Sequence, residues 1–231
     1  MASDLVSIIV PVHNELATLD ALLQRVEAVP FAKEIILIDD GSTDGSTALV
    51  RAREGRAPYR VFVNERNRGK GFSVRLGIRE ARGDVILFQD ADLEYAPEEL
   101  PGLVAPIRAG KADVVYGARF LDPAGPVHNF WHLHGNRWLT LMSNLATGLN
   151  LNDMETCYKV FSAKAIQSID IVCDDFGTEP EITAKIARIP GIRVWQMPVS
   201  YAPRSYAEGK KIGWKDGVRA VWYIGRFGLF R

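Results

Sequence analysis

The sequence predicts an α/β fold built around a mostly parallel, mixed sheet with helices on both faces. Short apolar runs rich in β-branched residues alternate with segments whose apolar residues recur at helical spacing. The apolar runs are continuous, which is typical of parallel strands that are buried on both faces. Apolar residues make up 47% of the 231 residues, which is enough to bury a sizeable core.

Four strands and three helices are predicted in the first half of the chain. The first strand, 6–10, ends at Pro11, and apolar residues from Leu16 to Val26 indicate the helix that follows. Further strands are predicted at 35–38, 60–63 and 85–88, and further helices at 46–53 and 72–81. Ligands bind beyond the carboxyl ends of parallel strands. We therefore expect the polar clusters 13–15, 39–40 and 90–92, each of which follows a strand, to lie in one crevice.

The second half is less regular. We predict helices at 97–107, 179–189 and 213–229, strands at 113–116, 156–161 and 193–200, and a segment rich in aromatic residues and histidine at 127–149. No internal repeat or low-complexity linker divides the chain. Residues 1–231 are therefore predicted to form a single domain, in which 204–231 are a basic loop and an amphipathic C-terminal helix.

The net charge of zero is unevenly distributed. Residues 204–231 contain seven Lys and Arg against two Asp and Glu, a balance of +5, so the other residues sum to −5. Neutrality argues against nucleic acid as a partner but leaves a membrane surface open. No signal peptide or span of 18 apolar residues is evident. Cys157 and Cys173 fit no metal-ligand spacing, and two such cysteines are typical of a reducing compartment.

The sharpest chemical signal is the run 90–94. Asp90, Asp92 and Glu94 place three carboxylates at alternate positions just past a buried strand, a donor set suited to Mg²⁺ or Mn²⁺. An EF-hand is excluded because Tyr95 stands at the sixth position, where a glycine is needed. A solvated acidic loop is the alternative.

Two further loops carry chemistry. Asp39 and Asp40 end a buried strand, where a carboxylate accepts hydrogen bonds from a base N–H or ribose hydroxyls, although Ser42 or Asp44 is also suited to capping the next helix. Gly69, Lys70 and Gly71 precede a helix, where backbone N–H groups bind phosphates. This loop is not a dinucleotide fingerprint, because it follows the third strand and has Val74 in place of the third glycine.

Together these motifs resemble the family 2 glycosyltransferases, and within them the dolichol-phosphate or polyprenyl-phosphate sugar transferase branch. The matching segments are VPVHNE (10–15), IDDGSTDG (38–45), NRGKG (67–71), GD (83–84), DADL (90–93), VVYGAR (114–119), DMETCYK (153–159) and GKK (209–211). The resemblance implies a GT-A fold, a nucleotide-sugar donor such as GDP-mannose or UDP-glucose, Mg²⁺ or Mn²⁺ as cofactor, and inversion at the anomeric carbon.

The resemblance also implies roles for individual residues. Asp90, Asp92 and Glu94 would hold the metal, although Gln is frequent in this branch where Glu94 stands. The donor-binding residues would be Pro11, Glu15, Asp39, Asp40, Gly69, Lys70, Gly71, Asp90 and Ala91. Arg119 and Arg204 would clamp an acceptor phosphate, with Arg137 as a third arginine. Asp153 would lie near the reaction centre. The chain departs from the family at Cys157, where Gly is usual, and at Lys159, where Arg is common.

The acceptor decides the role of Asp153. A phosphate monoester has a second pKa near 6 and needs arginines to position it more than a base to deprotonate it. A saccharide or small hydroxyl acceptor would instead make Asp153 the leading candidate for a general base. Two alternatives from other classes are an NAD(P)-dependent oxidoreductase, built on the glycine loop, and a non-catalytic membrane-binding protein, built on the basic tail.

The segment 127–149 and the C-terminal helix carry the remaining signals. His128, His132 and His134 lie in the apolar segment, and core or interface packing accounts for them better than a metal site does. The helix at 213–229 interleaves Trp and apolar residues with Lys and Arg, a composition that suits an interfacial helix on anionic lipid or a helix packed on the core or in a dimer. We expect a cytoplasmic protein, peripheral at the cytoplasmic face of the membrane, with a homo-oligomer left open.

Overall fold

A seven-stranded sheet runs through the computed structural model, which describes residues 4–121, 130–204 and 214–229. Its strands are β1 (Val6–Val12), β2 (Lys33–Asp40), β3 (Tyr59–Asn64), β4 (Val85–Phe88), β5 (Val114–Ala118), β6 (Lys159–Ser162) and β7 (Val194–Pro198). The spatial order is β3-β2-β1-β4-β6-β5-β7. β6 runs antiparallel to β4 and β5, and all other pairs are parallel. The predicted α/β fold with a mixed, mostly parallel sheet is confirmed.

Helices connect the strands. They are α1 (Leu19–Ala28), α2 (Ser46–Arg51), α3 (Lys70–Glu80), α4 (Leu100–Arg108, preceded by a 3₁₀ turn at Pro97–Glu99), α5 (Phe130–Thr147), α6 (Ala163–Ile166), α7 (Thr178–Ala187) and α8 (Trp214–Leu229). The segment rich in aromatic residues thus contains an 18-residue helix, α5. α8 packs against α5 and α7.

The central strands are buried because their continuous apolar sequences are covered on both faces. Every residue of β4 and β5 is buried, as are six of the seven residues of β1. Tyr116, Tyr158 and Phe161 are among the largest fully buried side chains and fill the space around β5 and β6. The sheet thereby forms the rigid base on which the loops at its edge are held.

Strand direction brings the polar clusters to one edge. The carboxyl ends of β1, β2, β4, β5 and β7 lie at this edge, and antiparallel β6 begins there. The loop that enters β6 therefore belongs to the same crevice. Residues 156–158 were predicted as part of that strand, but β6 starts only at Lys159, so Thr156, Cys157 and Tyr158 belong to the loop.

Candidate active site

The end of β2 separates the roles of its two aspartates. Asp39 is buried, and its Oδ2 accepts a hydrogen bond of 2.7 Å from the hydroxyl of Thr47. Its Oδ1 is buried without a hydrogen-bond partner in the described part of the chain. Asp40 instead accepts bonds from the backbone N–H groups of Arg68 (2.9 Å) and Gly69 (2.8 Å). Asp40 thus fixes the neighbouring loop, and the expected contact of Asp39 with a base or ribose stays a prediction.

Close packing requires glycine at positions 69 and 71 of the glycine loop. Gly69 has φ of +98°, and a Cβ there would lie 2.1 Å from the carbonyl oxygen of Asp174. A Cβ on Gly71 would lie 2.1 Å from Oγ1 of Thr178. The loop before α7 therefore packs directly on the N-terminus of α3. The expectation that Gly69 and Gly71 let backbone approach phosphate stays a prediction.

Lys70, between the two glycines, carries its charge into the acidic cluster. Its Nζ lies 2.8 Å from Oδ1 of Asp90 and 3.7 Å from Oε1 of Glu179. Burial alone raises the pKa of Asp90, but the ammonium of Lys70 outweighs that effect and holds the pKa below its usual value.

The pKa of Asp92 is shifted in the opposite direction to that of Asp90. Burial, together with the nearby charges of Asp90 and Glu94, raises the pKa of Asp92 to about 7, although Arg204 acts in the other direction. The cluster therefore holds more negative charge than its neighbours neutralise, and its hard oxygen donors suit a divalent cation. Within residues 4–121, 130–204 and 214–229, no three acidic, histidine or cysteine side chains are arranged as a preformed metal centre.

Arg204 reaches the cluster from the far end of the chain. Its Nη1 lies 2.9 Å from Oε2 of Glu15, and its Nη2 lies 2.8 Å from Oδ2 of Asp92. Glu94 accepts a hydrogen bond from the backbone N–H of Arg204 at 2.9 Å. Residues separated by more than 100 positions in sequence are thus joined in one charged network.

Arg119 and Asp153 form a buried pair at the end of β5. Nε and Nη2 of Arg119 donate to the two oxygens of Asp153 at 2.7 and 2.8 Å, and the backbone N–H of Arg119 adds a third bond at 3.1 Å. Asn136 on α5 donates a fourth, at 3.1 Å. Burial raises the pKa of Asp153, but Arg119 outweighs burial and holds that pKa below its usual value. Asp153 is therefore a poor proton acceptor in this arrangement.

Comparison with known proteins identifies the architecture that carries this crevice. The model of the family "Glycosyl transferase family 2" matches residues 7–170. The chain belongs to this family. The resemblance inferred from the motifs is confirmed, and membership favours a glycosyltransferase over the oxidoreductase alternative.

Two kinds of relative are similar along most of the chain. An undecaprenyl-phosphate 4-deoxy-4-formamido-L-arabinose transferase from Pseudomonas aeruginosa is 34% identical over 215 residues, which is 90% of this chain. The chain spans about 60% of the length of that relative. An undecaprenyl-phosphate mannosyltransferase from Micrococcus luteus is 31% identical and covers 96% of this chain and 93% of its own length.

Solved structures share the fold at low sequence identity. Glucosyl-3-phosphoglycerate synthase from Mycobacterium tuberculosis, in complex with Mn²⁺, UDP and phosphoglyceric acid, superposes with a TM-score of 0.75 at 17% identity. It covers 99% of this chain and 80% of its own. TarS 1–349 from S. aureus, in complex with UDP-GlcNAc, gives 0.64 at 17% identity over 98% of this chain and 66% of its own. The GT-A fold implied by the motifs is confirmed.

The glycosyltransferase fold brings together most of the residues predicted for the site. Glu15, Asp92, Glu94 and Arg204 form one network, Asp90 pairs with Lys70, and Ala91 between Asp90 and Asp92 is buried. Pro11 lies at the end of β1 beside Ile38 of β2. Arg137 is exposed on α5, next in sequence to Asn136, and its place in an acceptor clamp stays a prediction. His128 and the basic residues 210–211 fall outside the described residues.

Three buried charged residues lie beside the site without a role assigned to them from the sequence. Lys159 is fully buried in β6 and contacts Glu179, in the first turn of α7. Glu155 interacts electrostatically with this pair and with the Arg119–Asp153 pair, and its Oε1 is buried without a hydrogen-bond partner among the described residues. The available signal was Lys159 inside the predicted strand 156–161, which a solvent-facing strand would explain equally well.

Proposed function

We propose that this chain is a metal-dependent inverting glycosyltransferase that moves a hexose from a nucleotide sugar, of the GDP-mannose or UDP-glucose type, to a polyprenyl or dolichyl phosphate. The named activities of the undecaprenyl-phosphate relatives support this acceptor class. The structures with UDP and Mn²⁺ or Mg²⁺ support a nucleotide-sugar donor and a divalent metal.

The hydrogen bonds and the lowered pKa of Asp153 favour a phosphate acceptor over a hydroxyl acceptor. A hydroxyl acceptor needs a base within hydrogen-bond reach whose oxygen is free to take the proton. Both oxygens of Asp153 are occupied by Arg119 and Asn136, and Arg119 keeps its pKa low. A phosphate acceptor needs no base, because one of its oxygens is already anionic at neutral pH. Asp153 then serves to hold Arg119 in place, and Arg119 holds the acceptor phosphate.

The donor end of the crevice offers two kinds of contact. Oδ1 of Asp39, which has no hydrogen-bond partner among the residues that the structure describes, can accept a hydrogen bond from a base N–H or a ribose hydroxyl. Asp90 and Asp92 supply the oxygen ligands that Mg²⁺ and Mn²⁺ prefer, and these metals usually take further ligands from water and phosphate. A metal bound there would neutralise charge on the diphosphate leaving group.

Sugar transfer then takes place as a single displacement at the anomeric carbon. An oxygen of the acceptor phosphate forms a bond to the anomeric carbon as the bond from that carbon to the donor diphosphate breaks, and the nucleoside diphosphate leaves with the electron pair. Lys70 stands beside Asp90, where it can contact the departing phosphate. Attack from the face opposite the leaving group inverts the anomeric configuration.

Two adjacent helices support contact with a membrane surface. α5 and α8 meet near their C-terminal ends, where a Cβ on Gly228 would lie 2.6 Å from that of Ala146. α5 contains no acidic residue, and α8 contains one. Trp, apolar and Arg side chains exposed together suit the headgroup region of anionic lipid. The exposed residues are Trp131, Trp138, Leu141 and Leu145 on α5, and Val218, Arg219, Trp222, Arg226 and Leu229 on α8.

None of the helices in the described ranges is long and apolar enough to cross a bilayer. Peripheral attachment at the cytoplasmic face, where such a helix pair would meet the headgroup of a lipid-linked acceptor, is part of the proposal. A homo-oligomer stays a prediction.

The proposal is tested by supplying the purified protein with Mg²⁺ or Mn²⁺, GDP-mannose or UDP-glucose, and a polyprenyl phosphate in mixed micelles. The matched control acceptors are the same polyprenol without its phosphate and a free saccharide. We expect transfer only to the phosphate, and loss of transfer in Asp90→Ala and Asp92→Ala variants whose melting is unchanged. Transfer to the alcohol or saccharide alone would overturn the acceptor, and undiminished transfer by the Asp90→Ala variant would overturn the metal site.

A further inference from the structure

Glu94 uses both of its carboxylate oxygens to hold residues 201–204. Its Oε2 accepts a hydrogen bond from the hydroxyl of Tyr201 at 3.0 Å, and its Oε1 accepts the backbone N–H of Arg204 at 2.9 Å. Its backbone carbonyl accepts the N–H of Ala202, also at 2.9 Å. Three bonds from one residue therefore fasten this segment over the acidic cluster.

The fastened segment places a guanidinium where a cation is needed. Arg204 contacts Glu15 at 2.9 and 3.3 Å and Asp92 at 2.8 Å. Its Nε is buried without a hydrogen-bond partner in the described part of the chain and lies 3.6 Å from Oε1 of Glu94, too far for a good bond. One donor of the guanidinium is thus left unsatisfied in this position, which favours a second position with a better set of acceptors.

We propose that Glu94 is a positioning residue for Arg204 rather than the third metal ligand, and that Arg204 covers Asp92 until a divalent cation replaces it there. The guanidinium, still tethered through its backbone N–H to Glu94, is then free to bind the acceptor phosphate. This inference rests on the proposed function for the identity of that phosphate. It reassigns Glu94, which the sequence pattern had grouped with Asp90 and Asp92 as a ligand.

Charge balance supports the exchange. Lys70 already neutralises Asp90, and among the described residues Arg204 is the cation that contacts both Asp92 and Glu15. A guanidinium and a divalent cation cannot both occupy the same carboxylate oxygen at contact distance, because like charges repel strongly in a partly buried site. Binding of one must therefore weaken binding of the other.

Metal affinity separates the two roles of Glu94 without any sugar transfer. Mn²⁺ is titrated into the purified protein, with no donor or acceptor present, and free Mn²⁺ is followed by electron paramagnetic resonance. We expect Glu94→Ala to change the dissociation constant by less than about threefold and Asp92→Ala to weaken it by about thirtyfold or more, as loss of a charged ligand requires. Arg204→Gln should tighten Mn²⁺ binding by about fivefold to tenfold, because the competing cation is removed.

Amide hydrogen exchange and acceptor kinetics report the tether. Glu94→Ala should speed hydrogen exchange at the Arg204 amide and raise the acceptor KM by about tenfold, with a smaller change in kcat. Glu94→Gln keeps an oxygen that accepts hydrogen bonds, so its exchange rate and acceptor KM should lie close to those of the wild type. A loss of Mn²⁺ affinity in Glu94→Ala comparable to that in Asp92→Ala would overturn the proposal, as would weaker Mn²⁺ binding in Arg204→Gln. If no acceptor is glycosylated but the metal and exchange results hold, the proposed function fails and the role of Glu94 stands.

Discussion

Replacing Glu155 with Gln should stabilise the protein at alkaline pH and have little effect in acid. Burial, followed by the charge of Glu179, raises the pKa of Glu155 from 4.5 to about 7, although Lys159 and Arg119 act in the other direction. Its Oε1 is buried without a hydrogen-bond partner among the described residues. A carboxylate in that position costs free energy that a neutral amide of the same shape does not.

The magnitude follows from linkage. Between pH 4.5 and 7 the folded protein retains a proton that the unfolded chain has already released, so stability falls as the pH rises through this window and is level above it. The full loss is about 3 kcal/mol at pH 8 and under about 1 kcal/mol at pH 5, at 1.36 kcal/mol per pKa unit. Glu155→Gln removes this titration, so its stability relative to wild type should improve by about 2–3 kcal/mol between pH 5 and pH 8.

Urea denaturation of both proteins at pH 5 and pH 8, followed by tryptophan fluorescence, measures this difference. Comparing two pH values cancels any effect of the substitution that does not depend on titration. Glu54→Gln removes one carboxylate from an exposed position and controls for the change in net charge. The reasoning is refuted if Glu155→Gln has the same relative stability at both pH values, since Glu155 would then be compensated by Lys159 as an ordinary ion pair.

Three further predictions test the packing, the donor site and the lipid-facing surface. Gly71→Ala should lower the free energy of unfolding by about 1–3 kcal/mol, because its Cβ would lie 2.1 Å from Thr178 Oγ1 and 2.3 Å from the Cys173 carbonyl; Gly135→Ala, in open space on α5, should not lower it. Asp39→Asn should weaken UDP or GDP binding about tenfold in a thermal-shift titration, because it alters an oxygen that has no hydrogen-bond partner among the described residues; equal binding would remove Asp39 from the donor site. Trp138→Ser and Trp222→Ser should each lower binding to anionic vesicles about tenfold in sedimentation assays, whereas Trp195→Ser, which alters an exposed residue of β7, should not; equal losses in all three would refute the assigned surface.

The sheet could be predicted because its information is local. Strand β2 contains four apolar residues in succession, Ile35, Ile36, Leu37 and Ile38. Such a run predicts burial on both faces of the strand without information from any other part of the chain. The direction of β6 could not be predicted in the same way. Its sequence, KVFS, is compatible with either direction, and only its pairing with β4 and β5 decides the matter. The segment containing α5 was likewise ambiguous, because it exposes Trp131, Trp138 and Leu145 on a face where a solvent-exposed helix would carry polar residues.

The acidic half of the site could be predicted and its cationic half only in part. Asp90, Asp92 and Asp39 stand at strand ends, where the topology collects them, so position in sequence translates directly into position in space. Lys70 and Arg204 reach the same cluster through long side chains from a helix N-terminus and from residues beyond β7. Which carboxylate each of them meets depends on side-chain geometry that no spacing in the sequence encodes.

The cationic half of the site offsets the repulsion among its carboxylates. Asp90, Asp92 and Glu15 would repel one another in a partly buried crevice, and Lys70 and Arg204 supply the two positive charges that offset them. Under the proposed function, a divalent cation bound to Asp90 and Asp92 would neutralise these carboxylates, so the charges of Lys70 and Arg204 would no longer be needed there. Phosphate groups would then neutralise the positive charges of Lys70 and Arg204, because a diphosphate donor and a phosphate acceptor each bring negative charge into the same crevice. Under the proposed function, Lys70 and Arg204 are therefore the groups that would bind these phosphates.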